Sequence, residues 1–165
     1  MPRTVKSVLF VSVSVLVGVA LSQCGKKSES TQIPAVGYDV AVSFTPAAQS
    51  KMKTLKQKAV IDGYYYGLPV EATKDKVNDD GQIELGQNLA EIDATDQTVK
   101  MTGDGVDPKL PTTSYADAKV LVLVRVYSST DAGTKNQLSC DTFEGTLTEA
   151  HKAPVKITCD VSKKS

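Results

Sequence analysis

Apolar and polar residues alternate along several short stretches of the chain, as in strands that bury one face. The clearest stretches are Tyr38–Phe44 and Val155–Val161. Further strands are predicted at 60–67, 81–85, 89–92, 98–102 and 119–127. With helical signal confined to short pieces, this pattern predicts a mainly β protein. We expect an antiparallel β-sandwich of about seven strands with one or two short helices.

A short helix is predicted directly after the first strand. Thr45 is its expected N-cap and Pro46 its first residue. One face carries the apolar residues Ala48, Met52, Leu55 and Ala59, and the other carries Lys51, Lys53, Lys56 and Lys58. We interpret the lysines as a solvated face that closes one end of a sheet; binding of a membrane or a phosphate is the alternative.

The residue pattern in the middle of the chain predicts a hairpin and a central strand. Residues 81–85 and 89–92 flank Gly86-Gln87-Asn88, a predicted hairpin turn. The most apolar stretch after the N-terminal segment is 119–127, which we expect to be covered on both faces. Residues 103–116 and 128–139 are predicted to be long loops.

The N-terminal segment is typical of a secretory signal peptide. Arg3 and Lys6 precede the apolar run 8–21, which is too short for the roughly 20 residues of a membrane-spanning helix. The run ends at Leu21-Ser22-Gln23-Cys24, which resembles a bacterial lipobox. That resemblance implies acylation of Cys24 and anchoring to a membrane; Gly25 in place of Asp implies the outer membrane. The alternative is that an ordinary signal peptidase recognises Ala20-Leu21-Ser22 and cleaves after it, which gives a plain secreted protein.

The chain is therefore divided into a signal peptide at 1–23, a lipidated flexible tether at 24–35 and a β-sandwich domain at 36–165. Overall it has 19 basic and 19 acidic residues. The removal of Arg3 and Lys6 leaves the mature chain slightly acidic. No basic stripe indicates nucleic acid as a partner. Tryptophan is absent and aromatic residues are 5% of the chain, so the core must be largely aliphatic.

Several short motifs resemble a family of small proteobacterial lipoproteins. They are residues 38–42 followed by Thr45-Pro46-Ala47-Ala48, then 64–67, 81–86 and 126–128. Cys140 and Cys159 match the paired cysteines of that family. The resemblance implies an envelope protein with one β-rich domain, and it carries no catalytic or binding residue over to this chain.

Cys140 and Cys159 are expected to form a structural disulfide, because exported proteins are held in an oxidising compartment. Two buried thiols or a metal-binding pair are the alternatives. No Cys-x-x-Cys motif indicates a redox function.

Catalytic and metal-binding chemistry has few candidates. His151 is the only histidine, and no Gly-x-Ser-x-Gly motif is present to pair with it. A hydrolase would have to use His151 or a pair of Asp or Glu residues as its base, and Asp62 beside Gly63 is the strand carboxylate to test first. Residues 78–84 resemble part of an EF-hand loop, but Lys76 and Gln87 occupy its first and last ligand positions. A weaker oxygen cluster with Asp104 and Asp107 is an alternative to a simple turn at 78–81, and neither a metal nor a cofactor is predicted.

Tyr64, Tyr65 and Tyr66 lie consecutively in the second predicted strand, so Tyr64 and Tyr66 share a face. We interpret them as core and edge packing; a platform for a sugar or a peptide is the alternative. The sequence as a whole predicts a lipid-anchored, non-catalytic binding or structural module that faces the periplasm. A protein inhibitor or adhesin that presents loop 103–116 or 128–139, and a hydrolase of unknown substrate, are the alternatives.

Overall fold

The first strand, β1 (Tyr38–Phe44), has the alternation that its sequence predicts. Tyr38, Val40, Val42 and Phe44 are buried, and Asp39 between them is exposed. The computed structural model describes residues 35–107, 114–129 and 135–163, which all lie in the compact unit Thr31–Ser165. The predicted signal peptide and most of the predicted tether, with Cys24, lie outside the described residues.

The described residues form eight strands and two short α-helices. The other strands are β2 (Ala59–Gly67), β3 (Ile83–Ile92), β4 (Gln97–Met101), β5 (Leu121–Ser128), β6 (Leu138–Cys140), β7 (Phe143–Thr146) and β8 (Val155–Val161). The helices are α1 (Pro46–Leu55) and α2 (Leu147–Ala150). Single turns of 3-10 helix lie at Glu71–Thr73 and Ala116–Ala118.

The strands form two four-stranded sheets, which confirms the predicted β-sandwich. Sheet 1 has the strand order β4-β1-β8-β6, and sheet 2 has the order β3-β2-β5-β7. Their apolar residues form one core cluster, to which Val40, Ile61, Tyr65, Val122 and Ile157 contribute side chains that are at most 1% exposed. Burial of this aliphatic surface is the main stabilising term for such a domain.

One strand pair departs from the predicted antiparallel arrangement. β1 and β8 run parallel, with Val40 opposite Val155 and Phe44 opposite Cys159. The other pairings among the described strands are antiparallel. Parallel neighbours need a long crossover, and here nearly the whole domain lies between the two strands.

Helix α1 starts as predicted but ends earlier than its apolar spacing indicates. Thr45 Oγ1 accepts a hydrogen bond from the Ala48 amide at 3.3 Å, so Thr45 is the N-cap. Lys56 has a φ of 54° and closes the helix as a left-handed C-cap. The prediction that Leu55 and Ala59 extend its buried face is therefore wrong: Leu55 is 43% exposed, and Ala59 opens β2.

The predicted hairpin at Gly86-Gln87-Asn88 is also wrong, because β3 continues through these residues as one strand. Gly86 has a φ of 144°, and the register between β2 and β3 shifts opposite it, between Tyr65 and Tyr66. A Cβ on Gly86 would lie 2.1 Å from the carbonyl oxygen of Gly105. The glycine thus allows a bulge and a close approach of two backbone segments. The chain does not turn here because β2 is long enough to pair with both halves of β3.

β5 is an inner strand of sheet 2, between β2 and β7, as a central strand should be. The prediction that both of its faces are covered is wrong. Val122, Val124 and Val126 are buried on one face, whereas the other face carries half-buried Leu123 and exposed Arg125.

Both predicted long loops contain paired backbone. In 103–116, Val106 bridges Gly86 and Tyr115 bridges Pro69, while 108–113 lie outside the described residues. In 128–139, Ser128 ends β5 and β6 begins at Leu138, while 130–134 lie outside the described residues.

Candidate functional site

The face of sheet 2 that points away from the core gathers most of the polar and aromatic side chains that the sequence singles out. We call it the sheet 2 outer face. It carries Val60, Asp62, Tyr64 and Tyr66 of β2, Leu121, Leu123, Arg125 and Tyr127 of β5, and Gln87 and Leu89 of β3. The strand alternation separates these residues from Ile61 and Tyr65, which are fully buried on the core side.

A buried carboxylate lies at the centre of this face. Asp62 is only 2% exposed and lies opposite Arg125 in the β2–β5 register. Nη2 of Arg125 donates to Oδ2 of Asp62 at 2.6 Å, and Nε2 of Gln87 donates to Oδ1 at 2.8 Å. Both carboxylate oxygens are therefore occupied by donors from the strands on either side, which is what a buried charge requires.

Arg125 is anchored at one end and accessible at the other. Its side chain is 47% exposed, whereas the side chain of Asp62 is 2% exposed. A guanidinium has five N–H donors in a fixed fork. One nitrogen of the guanidinium is held by Asp62, and the half-exposed side chain remains accessible to an acceptor from solvent.

Two tyrosines stack beside this pair. The Tyr64 and Tyr66 rings have centroids 5.8 Å apart and planes inclined by 20°. Tyr66 donates to Oε1 of Glu144 at 2.5 Å, and the Tyr64 hydroxyl accepts from Nδ2 of Asn78 at 2.8 Å. Burial and the Glu144 carboxylate raise the pKa of Tyr66 to about 12. Burial, with Glu84 nearby, also raises the pKa of Tyr64.

The tyrosines differ in what they offer a ligand. Tyr65 is fully buried in the core and Tyr66 is 3% exposed, so neither presents an open ring face. Tyr64 and Tyr127 are half-buried, and Leu89 beside them is 54% exposed. The arrangement fits contact with an uneven apolar and polar surface better than stacking of a flat sugar ring.

Cys140 and Cys159 face each other in the β6–β8 register, with their sulfur atoms at disulfide-bonding distance, 2.09 Å apart. Cys159 is fully buried and Cys140 is half-buried at the edge of sheet 1. The pair lies in sheet 1, away from the sheet 2 outer face.

His151 is placed apart from the other candidate residues. It is exposed after α2, and its Nε2 atom lies 2.8 Å from the carbonyl oxygen of Gly37. Within the described ranges, no carboxylate or hydroxyl side chain hydrogen-bonds to it. The structure does not bring His151 together with Asp62.

The oxygen-rich turn at 78–81 is held by its own side chain. Oδ1 of Asn78 accepts from the amides of Asp80 and Gln82 at 3.1 and 2.9 Å. Gly81 has a φ of 76°, which this turn requires. Asp104 instead accepts from Thr102 Oγ1 at 2.7 Å. The described part of the chain contains no group of three or more His, Cys, Asp or Glu side chains suited to a metal ion.

Arg125 and Gln87 were missed by the sequence analysis. Arg125 is a lone polar residue in an apolar run, and Gln87 lies in the turn-like Gly86-Gln87-Asn88. Only the register of β2 with its two neighbours brings both to Asp62. The available signal was Arg125 itself, since a charged residue inside the most apolar stretch indicates a specific partner.

In the described ranges, no helix has the length and apolar character needed to cross a membrane. Comparisons with models of known protein families, with curated proteins and with solved structures find no significant match.

Proposed function

We propose that this chain is a lipid-anchored envelope protein that faces the periplasm from the outer membrane and acts as a non-catalytic binding module. The lipobox-like sequence Leu21-Ser22-Gln23-Cys24 supports the anchor. The sheet 2 outer face supports the binding function and is the surface that we assign to a protein partner.

The observation that carries the proposal is the ion pair of buried Asp62 with half-exposed Arg125 on an outward-facing sheet surface. Burial of a carboxylate is costly, and a buried ion pair replaced by well-packed apolar residues is often as stable or more so. The fold therefore gains little from the pair, whereas a partner gains an arginine held in one orientation. Arginine and tyrosine are the residues that most often dominate binding energy at protein interfaces.

The other functions have weaker support. A hydrolase would need a free base, yet both oxygens of Asp62 accept hydrogen bonds and His151 contacts a backbone carbonyl. An inhibitor or adhesin would present loop 103–116 or 128–139. No contact within the described residues favours either of them.

Site-directed photo-cross-linking tests the binding face in the full chain within its own envelope. A benzophenone amino acid replaces Leu89 on the sheet 2 outer face or, as a control, Lys156 on the outer face of sheet 1. We expect one discrete protein adduct from position 89 and none from position 156. In the Arg125→Ala background the adduct should fall about tenfold or more, as for an interface hot spot.

Two results would contradict the assignment. One is equal cross-linking from both positions, and the other is an unchanged adduct in Arg125→Ala protein that folds normally. A panel of ester, peptide, phosphate and glycoside substrates tests the hydrolase: turnover that disappears in His151→Ala or Asp62→Asn would replace the binding proposal.

A further inference from the structure

A groove lies between α1 and the turn that joins β3 to β4, at the end of the sandwich where β1 ends and β2 begins. We call it the α1 groove. Its volume is about 810 Å³, and its walls come from α1, from residues 56–58 and from residues 93–95. This volume falls in the usual range of small-molecule sites, roughly 300–1,000 Å³.

The exposed surface of the α1 groove is mostly apolar, although most of the residues that line it are polar or charged. Pro46 and Met52 contribute from α1 and Ala94 from the opposite turn. Met52 is 1% exposed and also belongs to the core cluster, so this end of the groove is backed by the core. Lysine side chains add their methylene stems to such a surface.

The rim of the groove is basic. Lys53, Lys56 and Lys58 line it and are exposed, and residues 40–61 contain no acidic side chain. Lys58 forms an ion pair with Asp93 across the groove. Within the described residues, Lys53 and Lys56 have no carboxylate at ion-pair distance, so an anion bound between them would meet uncompensated positive charge.

A second observation points to a polar group at the same place. Gln57, between Lys56 and Lys58, also lines the groove. Its side-chain Oε1 atom is buried and has no hydrogen-bond partner among the described residues. Buried polar side-chain atoms are nearly always paired, and an amide side chain can present either its oxygen or its nitrogen.

From the apolar walls, the basic rim and the unpaired amide we propose that the α1 groove binds a single-chain amphiphile with an anionic head group. The apolar chain lies against Pro46, Met52 and Ala94. The carboxylate or phosphate lies between Lys53 and Lys56, within reach of Gln57. This site is separate from the sheet 2 outer face and does not depend on the function proposed for that face.

Photoaffinity labelling of the full chain in its own membranes tests the proposal. Three twelve-carbon probes carry a diazirine on the chain and differ in the head group: dodecanoate, dodecyl phosphate and uncharged dodecanol. We expect the anionic probes to label peptides from 46–58 and 93–95 at least about tenfold more than dodecanol does, as two charge-assisted contacts allow. Preference for one anionic probe distinguishes a fatty acid from a phosphate head group as the source.

Variants decide whether the lysines cause the labelling. Lys53→Glu/Lys56→Glu should lose it about tenfold, and the milder Lys53→Gln/Lys56→Gln serves if the first variant does not fold. The matched control is Lys152→Glu/Lys156→Glu, which reverses two exposed lysines elsewhere and should label as wild type does. Equal labelling by all three probes, labels spread over the chain, or no loss in a folded lysine variant would overturn the proposal.

Discussion

Asp62 and Arg125 face each other across β2 and β5, with Nη2 of the arginine 2.6 Å from Oδ2 of the aspartate, and only the arginine reaches solvent. Gln87 on the opposite neighbouring strand completes the contacts of the carboxylate. The ion pair holds the Arg125 side chain in place on the solvent-facing side of sheet 2. Strand alternation by itself predicts only that this side is polar. The contribution of the pair to stability can be measured separately from its proposed role in binding.

The first prediction concerns that separation. Arg125→Met should lower the free energy of unfolding by about 1–3 kcal/mol, because it leaves a buried acceptor without its charged donor. The double variant Asp62→Leu/Arg125→Met should recover to within about 1 kcal/mol of wild type, since apolar replacement of a buried pair is often neutral. Urea denaturation of all three proteins measures both differences.

Lys156→Met is the matched control, since it removes an exposed charge on the outer face of sheet 1 and should change stability by about 0.5 kcal/mol or less. A double variant as unstable as Arg125→Met would mean that Asp62 and Arg125 stabilise the fold for a reason other than their mutual pairing.

The second prediction concerns alkaline pH. Burial and the Glu144 carboxylate raise the pKa of Tyr66 to about 12 in the folded protein, compared with about 10 in an unfolded chain. The unfolded chain therefore loses this proton first, and the stabilising contribution, complete below about pH 10, is lost as the pH rises towards 12. Unfolding measured between pH 9 and 12 should show stability falling with pH.

The Tyr66→Phe variant should show a shallower fall over the same range, because it removes this titration. Glu144→Gln should lower the pKa of Tyr66 as followed by tyrosinate absorbance, because it removes the carboxylate acceptor. An identical pH slope in wild type and Tyr66→Phe would contradict the burial of this hydroxyl.

The third prediction concerns Cys140 and Cys159, which are 19 residues apart in the chain. Peptide mapping without reductant should recover them as one cross-linked peptide pair. The Cys140→Ala/Cys159→Ala variant should lose about 3 kcal/mol of stability, as the chain-entropy model gives for a loop of this length. Ready alkylation of both thiols in native, unreduced protein would show that they are not joined.

The fourth prediction concerns Cys24. Mass spectrometry of the envelope protein should find Cys24 as an acylated N-terminal residue, since two or more acyl chains give stable anchoring where one is marginal. Cys24→Ser should release the protein from the membrane fraction or stall its processing. An unmodified mature N-terminus at Gln23 would instead indicate a plain secreted protein.

Local signals in the sequence were enough for the elements whose neighbours agree with them. Alternation predicted Tyr38–Phe44 and Val155–Val161 with the observed bounds, because each strand buries one face against the core. Thr45 and Pro46 predicted the start of α1, since capping is a contact within one turn. The capping box of Thr146 and Glu149 at α2 was equally readable, and was missed.

Tertiary contacts decided where local signals conflict or are silent. Gly86-Gln87-Asn88 has the composition of a turn, but the length of β2 and the close approach of Gly105 make it a bulge within one strand. The apolar run at 119–127 reads as a strand buried on both faces, yet its outer face carries half-buried Leu123 and exposed Arg125.

The candidate site depends on tertiary structure most of all. Asp62 and Arg125 are 63 residues apart, and no local pattern relates them. Their contact exists because the antiparallel register places residue 62 opposite residue 125 on the same face. Side chains alternate with a period of two, so a slip of one residue would turn Arg125 towards the core and leave Asp62 without its donor. Alternation in the sequence predicted most of the strands but neither β6 nor β7, and only the packing of β3, β2 and β5 determined which side chains meet.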